Sequence, residues 1–350
     1  MIANLQQWFK RHFSDPEATL LLVLLLIVST AIFMFGDILA PVLASMVIAY
    51  LLEWLIEALQ RIKVPRLPAV LLVYVGFLGV FTLALFILLP LLWKQLAALF
   101  ENLPTIFSKV QQELTSLAQQ FPEYLSAAQV QEFTSSIGIN AQSWGKVALS
   151  YSLASIPDML TWVIYLVLMP IIVFFLLKDK AVISNWFQNY LPKKRQVLSK
   201  VSLEVNGQIG NYLRGKASEI LIVGGVTYAV FAYFNMQYAA LLAFLVGFSV
   251  LIPYIGAVLV TIPVILVGYL QWGLTSDFSY MLIAFAIVQA LDGNVLVPLL
   301  FSEAVNLHPV AIIIAILVFS GIWGFWGAFF AIPLATLVKA LLYAWPSRNA

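Results

Sequence analysis

Apolar stretches with few charges and enough length to cross a bilayer recur eight times along this chain. They fall at about 19 to 35, 38 to 56, 69 to 93, 157 to 177, 217 to 235, 239 to 270, 279 to 300 and 309 to 343. A transmembrane helix needs about 20 mostly apolar residues, so each run predicts helix in lipid. The first run has a helix-entry pattern: Ser14 as cap, Pro16 in the first turn, and Glu17 three residues after Ser14. No small-residue cleavage site precedes the second run, so the first reads as an uncleaved anchor rather than a signal peptide.

Between the runs the pattern keeps a helical period. From 94 to 156, Phe107, Val110, Leu114, Leu117 and Phe121 recur at helical spacing, as do Val130, Phe133 and Ile137. Two amphipathic helices are expected there, as a small cap, on the membrane surface or against neighbouring subunits. From 178 to 213, Val197, Val201, Val205 and Ile209 form a stripe beside Lys193, Lys194 and Arg195. That basic run is expected to hold anionic lipid headgroups first and to serve as a regulatory contact second.

The predicted fold class is therefore an all-α polytopic membrane protein of about eight hydrophobic segments. Its expected domains are a three-span scaffold (1–93), an extracytoplasmic amphipathic segment (94–156), a fourth span with a basic amphipathic helix (157–216) and a C-terminal transport half (217–350). Composition agrees: 63% of the 350 residues are hydrophobic and 10% charged, far from a soluble domain. A net charge of +2 leaves no basic surface for nucleic acid. With no cysteine and two histidines, thiolate zinc sites, disulfides and thiol redox chemistry are excluded, and no cofactor or metal is called for. Alternating the spans from a cytoplasmic N-terminus leaves only Lys94, Lys109 and Lys146, of 18 basic residues, outside. Both termini are then cytoplasmic.

Two runs, 239 to 270 and 309 to 343, exceed one crossing, and both are punctuated. The first carries Pro253, Tyr254, Gly256 and Pro263; the second carries Gly321, Gly324, Gly327 and Pro333. They resemble one another. Phe248-Ser249 precedes Gly256-Ala257 as Phe319-Ser320 precedes Gly327-Ala328, and Ile-Pro follows each at Ile262-Pro263 and Ile332-Pro333. Paired, interrupted hydrophobic segments point to a transport site, because broken helices offer free backbone groups to a substrate or ion. The runs are either re-entrant hairpins forming an inverted repeat with the spans before them, or tilted plain crossings.

Among motifs with chemistry, Gly210 to Ala217 has phosphate-loop spacing, but Ala217 stands where Ser or Thr must bind magnesium and no strand precedes it. It reads instead as a helix entry with Arg214 and Lys216 snorkelling to the interface. No hydrolase elbow, zinc helix or Cys/His nucleophile is present, so the chain reads as a non-enzyme. An ionisable residue at membrane depth costs about 2.5–3.5 kcal/mol and needs a reason. Asp292 is the foremost case: Gln289 and Asn294 flank it and could converge with it on a cation or polar solute, or Asp292 caps a turn near water. Glu57 is expected to pair with Arg61, and Glu219 with Lys216. Asp37 reads as a turn residue, His12 as interfacial, and His308 as a boundary residue or a proton sensor. Trp54, Trp93, Trp162, Trp272 and Trp345 read as interfacial anchors.

Several motifs resemble, in order and spacing, the autoinducer-2 exporter family of bacterial permeases, especially its PerM-like branch. They are Ala49 to Glu53, Val64-Pro65-Arg66, Tyr212 to Gly215, Leu251 to Gly256, Asn294 to Pro298, Leu307-His308-Pro309 and Gly327 to Pro333. Where the family pattern has an acidic residue, often Glu, before Gly293, this chain has the shorter Asp292. The resemblance implies a homo-oligomeric inner-membrane transporter, a pentamer with an elevator-like moving unit. It also implies one of two chemistries, export of the furanosyl signal autoinducer-2 or sodium/proton antiport. The expected pathway residues are Pro253, Tyr254, Gly256, Gln289, Asp292, Asn294, Pro298, Gly321, Gly324 and Gly327. Three functions follow: efflux of a small polar organic solute, Na⁺(Li⁺)/H⁺ antiport with Asp292 and His308 as proton-linked groups, or a non-transporting membrane scaffold.

Overall fold

In lipid, a backbone N–H or C=O without a partner is costly, so apolar runs of this length close their hydrogen bonds within the segment as helices. The computed structural model describes residues 16–120, 156–190, 196–253, 255–301 and 307–344, and among them every regular element is helical. In chain order these are α1 (Pro16–Arg61), α2 (Arg66–Leu83), a π-helical segment (Ala84–Leu88), α3 (Leu89–Gln120), α4 (Ile156–Lys178), α5 (Lys180–Tyr190) and α6 (Gln196–Tyr233). Next come α7 (Ala239–Ser249), α8 (Ile255–Trp272), α9 (Ser276–Leu291) and a second π-helical segment (Asp292–Leu296). The last are α10 (Val297–Phe301), α11 (Pro309–Phe329) and α12 (Ala331–Ala344). Among the described residues five continuous helical stretches are long and apolar enough to cross a membrane: Ile38–Arg61, Arg66–Asn102, Asn206–Tyr233, Ile255–Trp272 and Ser276–Phe301. The chain is an all-α, multi-pass membrane protein.

Three boundaries differ from the sequence expectation. The first two apolar runs share α1, which bends at Phe35 (φ −122°, ψ 17°). Asp37 is helical and not a turn residue, because a one-residue bend leaves the following backbone bonds intact. The third run continues without a turn into the outer amphipathic stretch, through Pro104 to Gln120. The inner valine stripe and the fifth run are one helix, α6; the two glycines at 210 and 215 lower helix propensity but do not stop a helix packed on its neighbours. Ser14, His12, the stretch around Val130 to Ile137, the basic run 193–195, Tyr254, Trp345 and the C-terminal residues lie outside the described residues.

The described chain divides into two compact units, each assembled from separate stretches: 1–78, 166–220 and 292–350 in one, 79–165 and 221–291 in the other. In the first, Ala49 and Ile56 of α1 pack with Ala69, Val70 and Val73 of α2 and Val173 and Leu177 of α4. A second core joins Tyr212 and Leu213 of α6, Phe301 of α10 and Ile332 of α12. In the other unit, Leu92 of α3 packs on Ala240 and Leu241 of α7. There the Gln95 side-chain oxygen accepts from the Leu241 N–H at 2.8 Å, supplying a partner to an amide that the first turn of a helix leaves open.

The two over-long runs are hairpins. α7 has 11 residues, about 16 Å at 1.5 Å per residue, too short to cross a core of about 30 Å. It turns back at Val250 to Pro253, and α8 packs along it. The open end is fastened: Gln271, near the end of α8, donates to the Asn235 carbonyl at 2.9 Å and accepts from the Gln237 N–H at 2.7 Å. α11 and α12 pack against each other in the same manner, and α11 is broken at Gly324 (φ 60°, ψ −134°). At both turns a glycine meets the carbonyl of the Phe-Ser pair before it. A β-carbon on Gly256 would overlap the Ser249 oxygen, and one on Gly327 would overlap the Phe319 oxygen. Only glycine permits that approach, so the repeat seen in the sequence is a repeat of turn geometry.

Candidate functional site

Within the membrane segment of α6, Lys216 and Glu219 stand one turn apart and form a buried ion pair, Nζ to Oε2 at 2.7 Å. Their side chains are 7% and 2% exposed. The pairing follows from i, i+3 spacing on a helix, but the burial does not. Lys216 does not snorkel. Its ammonium points inward, 5.0 Å from the ring centroid of Phe301 on α10, a distance at which the ring face attracts a cation. Phe301 is held by Tyr212, whose ring lies 5.9 Å away and whose hydroxyl donates to the Phe329 carbonyl at 3.1 Å. The same Phe301 ring thus packs against both the lysine and the tyrosine.

The third charged member is Asp292, the first residue of the second π-helical segment. Asp292 lies within electrostatic reach of both Lys216 and Glu219. Its Oδ1 is buried and accepts no hydrogen bond among the described residues. A π segment widens the helical turn and is frequent at functional sites; here it starts at the one acidic residue of the run. The constellation thus holds one ammonium and two carboxylates, the third partner arriving from a distant part of the chain.

The other expected pathway residues are dispersed. Gln289 is half-buried near the end of α9, Asn294 is exposed in the π segment, and Pro298 is exposed on α10. Pro253 is half-buried in the first hairpin's turn, where its carbonyl accepts from the Ile255 N–H at 2.7 Å. Gly256 and Gly327 are buried at the two turns, and Gly321 and Gly324 are exposed on α11. His308 caps α11: its Nδ1 accepts from the Val310 N–H at 3.3 Å, with Pro309 in the first turn. Arg214 donates to the Asn211 side-chain oxygen at 2.8 Å.

A second ionic cluster lies at the ends of α1, α2, α4 and α5. Glu53 accepts from Arg66 at 2.9 Å and from Lys180 at 3.0 Å, and Arg66 also donates to the Leu177 carbonyl at 2.9 Å. Glu57 pairs with Lys180 at 3.9 Å and not with Arg61. The local i, i+4 rule is overridden because α5 brings a cation between both glutamates. Sequence reasoning paired Glu57 with Arg61 and missed Arg66 and Lys180 as the partners of the two glutamates, since these stand on other helices. Among the described residues no group of three His, Asp or Glu side chains could hold a metal ion.

The family model described as AI-2E family transporter matches residues 20–347. PerM of Escherichia coli (strain K12), whose name designates a permease and gives no substrate, is 46% identical over 99% of this chain and 98% of its own length. YueF of Bacillus subtilis (strain 168), named as a transport protein, is 24% identical over 95% of this chain and 92% of its own. TqsA of Escherichia coli (strain K12), named as an AI-2 transport protein, is 23% identical over 93% of this chain and 91% of its own.

Proposed function

Because the chain belongs to the AI-2E transporter family, we propose that it is a secondary transporter of the bacterial inner membrane that exports a small polar organic solute, autoinducer-2-like in class. Transport would run downhill or on an ion gradient. The observation that carries this reading is the Lys216, Glu219 and Asp292 constellation inside membrane-spanning helices. A static scaffold gains nothing from burying an ion pair and a second carboxylate at a cost of several kcal/mol. The family supports a homo-oligomer, a pentamer in this reading, with one part of each subunit moving elevator-fashion. Both termini face the cytoplasm in this arrangement, and the interrupted hairpins supply backbone groups to the pathway. Everted vesicles from cells making the protein should accumulate autoinducer-2, and Asp292→Asn should cut that uptake at least ten-fold at equal expression. Undiminished uptake in the variant would remove the carboxylate from the mechanism.

A second reading, Na⁺(Li⁺)/H⁺ antiport, is favoured by one feature: two carboxylates and one ammonium leave one negative charge over, which a proton or monovalent cation would balance. In proteoliposomes with an internal pH dye, a sodium-evoked proton flux that Asp292→Asn abolishes would put antiport first. No flux from a preparation active in solute export would leave solute efflux alone.

A further inference from the structure

Separate from the buried constellation, the first unit contains a cleft of about 480 Å³ bounded by α1, α4, α5 and α6, within the range of small-ligand pockets. Its apolar wall includes Met46, Ala49 and Leu176, and its polar groups are Tyr50, Glu53, Glu57, Lys180, Asn206 and Arg214. The cleft is built, not incidental. Tyr50 crosses from α1 to α6 and donates to the Asn206 carbonyl at 2.8 Å, passing so close to Gly210 that a β-carbon there would stand 2.6 Å from its hydroxyl.

The charges in the cleft are not equally available. Glu53 is occupied by Arg66 and Lys180, at 2.9 and 3.0 Å. Lys180 is in turn committed to Glu53. Arg214 gives one of its N–H groups to Asn211, and a guanidinium has five. Among the described residues Glu57 is met only by Lys180 at 3.9 Å, longer than a hydrogen bond. The two groups with capacity to spare therefore carry opposite charge, Arg214 on α6 and Glu57 on α1. The Tyr50 hydroxyl lies within electrostatic reach of both. A simple anion entering here would meet Glu57, and a simple cation would meet Arg214. A molecule carrying both charges matches the cleft, whose apolar wall suits a short aliphatic chain between them.

We propose that this cleft binds a small zwitterionic solute, its carboxylate on Arg214 and its ammonium on Glu57. The binding claim does not need the protein to transport anything; only its biological role, substrate recognition on the inner side, rests on the transporter reading. The test is calorimetric titration of the purified full chain in detergent with glycine, 4-aminobutyrate and 6-aminohexanoate, beside butyrate and butylamine. One amino acid of the series should bind at least ten-fold more tightly than either half-molecule, and the best chain length reads the spacing of the two charges. Arg214→Gln and Glu57→Gln should each weaken it about ten-fold, with Arg214→Lys retaining more affinity than Arg214→Gln, while the unliganded melting temperature stays near wild type. If Arg214→Gln does not fold, Glu57→Gln and Arg214→Lys carry the test. No heat from any of the five compounds, butyrate binding as tightly as the amino acids, or affinity untouched by the substitutions would overturn the proposal. Flux through Asp292 is measured separately, so either claim can fail while the other stands.

Discussion

Two ionic clusters share the first unit and are built from the same chemistry, yet they solve opposite problems. In the cluster around Glu53, two carboxylates face two cations, and the members range from 11% exposed at Glu53 to 52% at Lys180. Charges balance, water reaches the rim, and the network ties together helix ends that would otherwise part. In the Lys216 cluster, one ammonium faces Glu219 directly and feels Asp292 as well, with 7% and 2% exposure for the pair. One ammonium stands against two carboxyl groups there, with the pair shielded from water and Asp292 half-buried. The lesson is that the number of ion pairs says little; the balance of charged groups held inside low dielectric separates a fastening from the site proposed for transport.

The comparison breaks most readily at Lys216. Lys216→Met leaves the buried Glu219 and the half-buried Asp292 without a cation and should cost about 3–5 kcal/mol, read as a large drop in the detergent melting temperature. Adding Glu219→Gln to that variant should restore much of the loss; a double variant as unstable as the single would mean the cation's charge is irrelevant there. Next in size is Glu53→Gln, which should cost about 1–3 kcal/mol, because Arg66 keeps the Leu177 carbonyl while Lys180 can reach water. Lys180→Gln comes third, at under about 1 kcal/mol, as expected for a half-exposed partner. The smallest effect is that of ionic strength: raising salt toward 1 M should erase the Lys180→Gln difference and leave the Lys216→Met difference in place, since screening reaches only the wet cluster. Equal salt sensitivity would collapse the distinction.

Much of this was readable in one dimension. The Lys216 and Glu219 pair lies at a local helical spacing, and Asp292 stood out because a carboxylate inside an apolar run demands a reason. That the three share one site was not readable, because α6 and the π segment are far apart in sequence and only packing brings them together. Nor was the inward turn of Lys216: a lysine at the edge of an apolar run ordinarily extends to water, and here Phe301, anchored by Tyr212, draws it inward. The Phe-Ser and Gly-Ala repeat was legible because a carbonyl pressed on a Cα admits one residue type. The continuity of α1 was hidden by Gly36 and Asp37, which have turn chemistry but sit in helix.

The fastening of the first hairpin by Gln271 has a consequence for biogenesis. A hairpin whose two ends are tied together is expected to add nothing to the sidedness of the chain, although its mostly apolar run of 32 residues, 239 to 270, has the length of a full crossing. A topology reporter fused after residue 237 and one fused after residue 273 should therefore register the same face of the membrane.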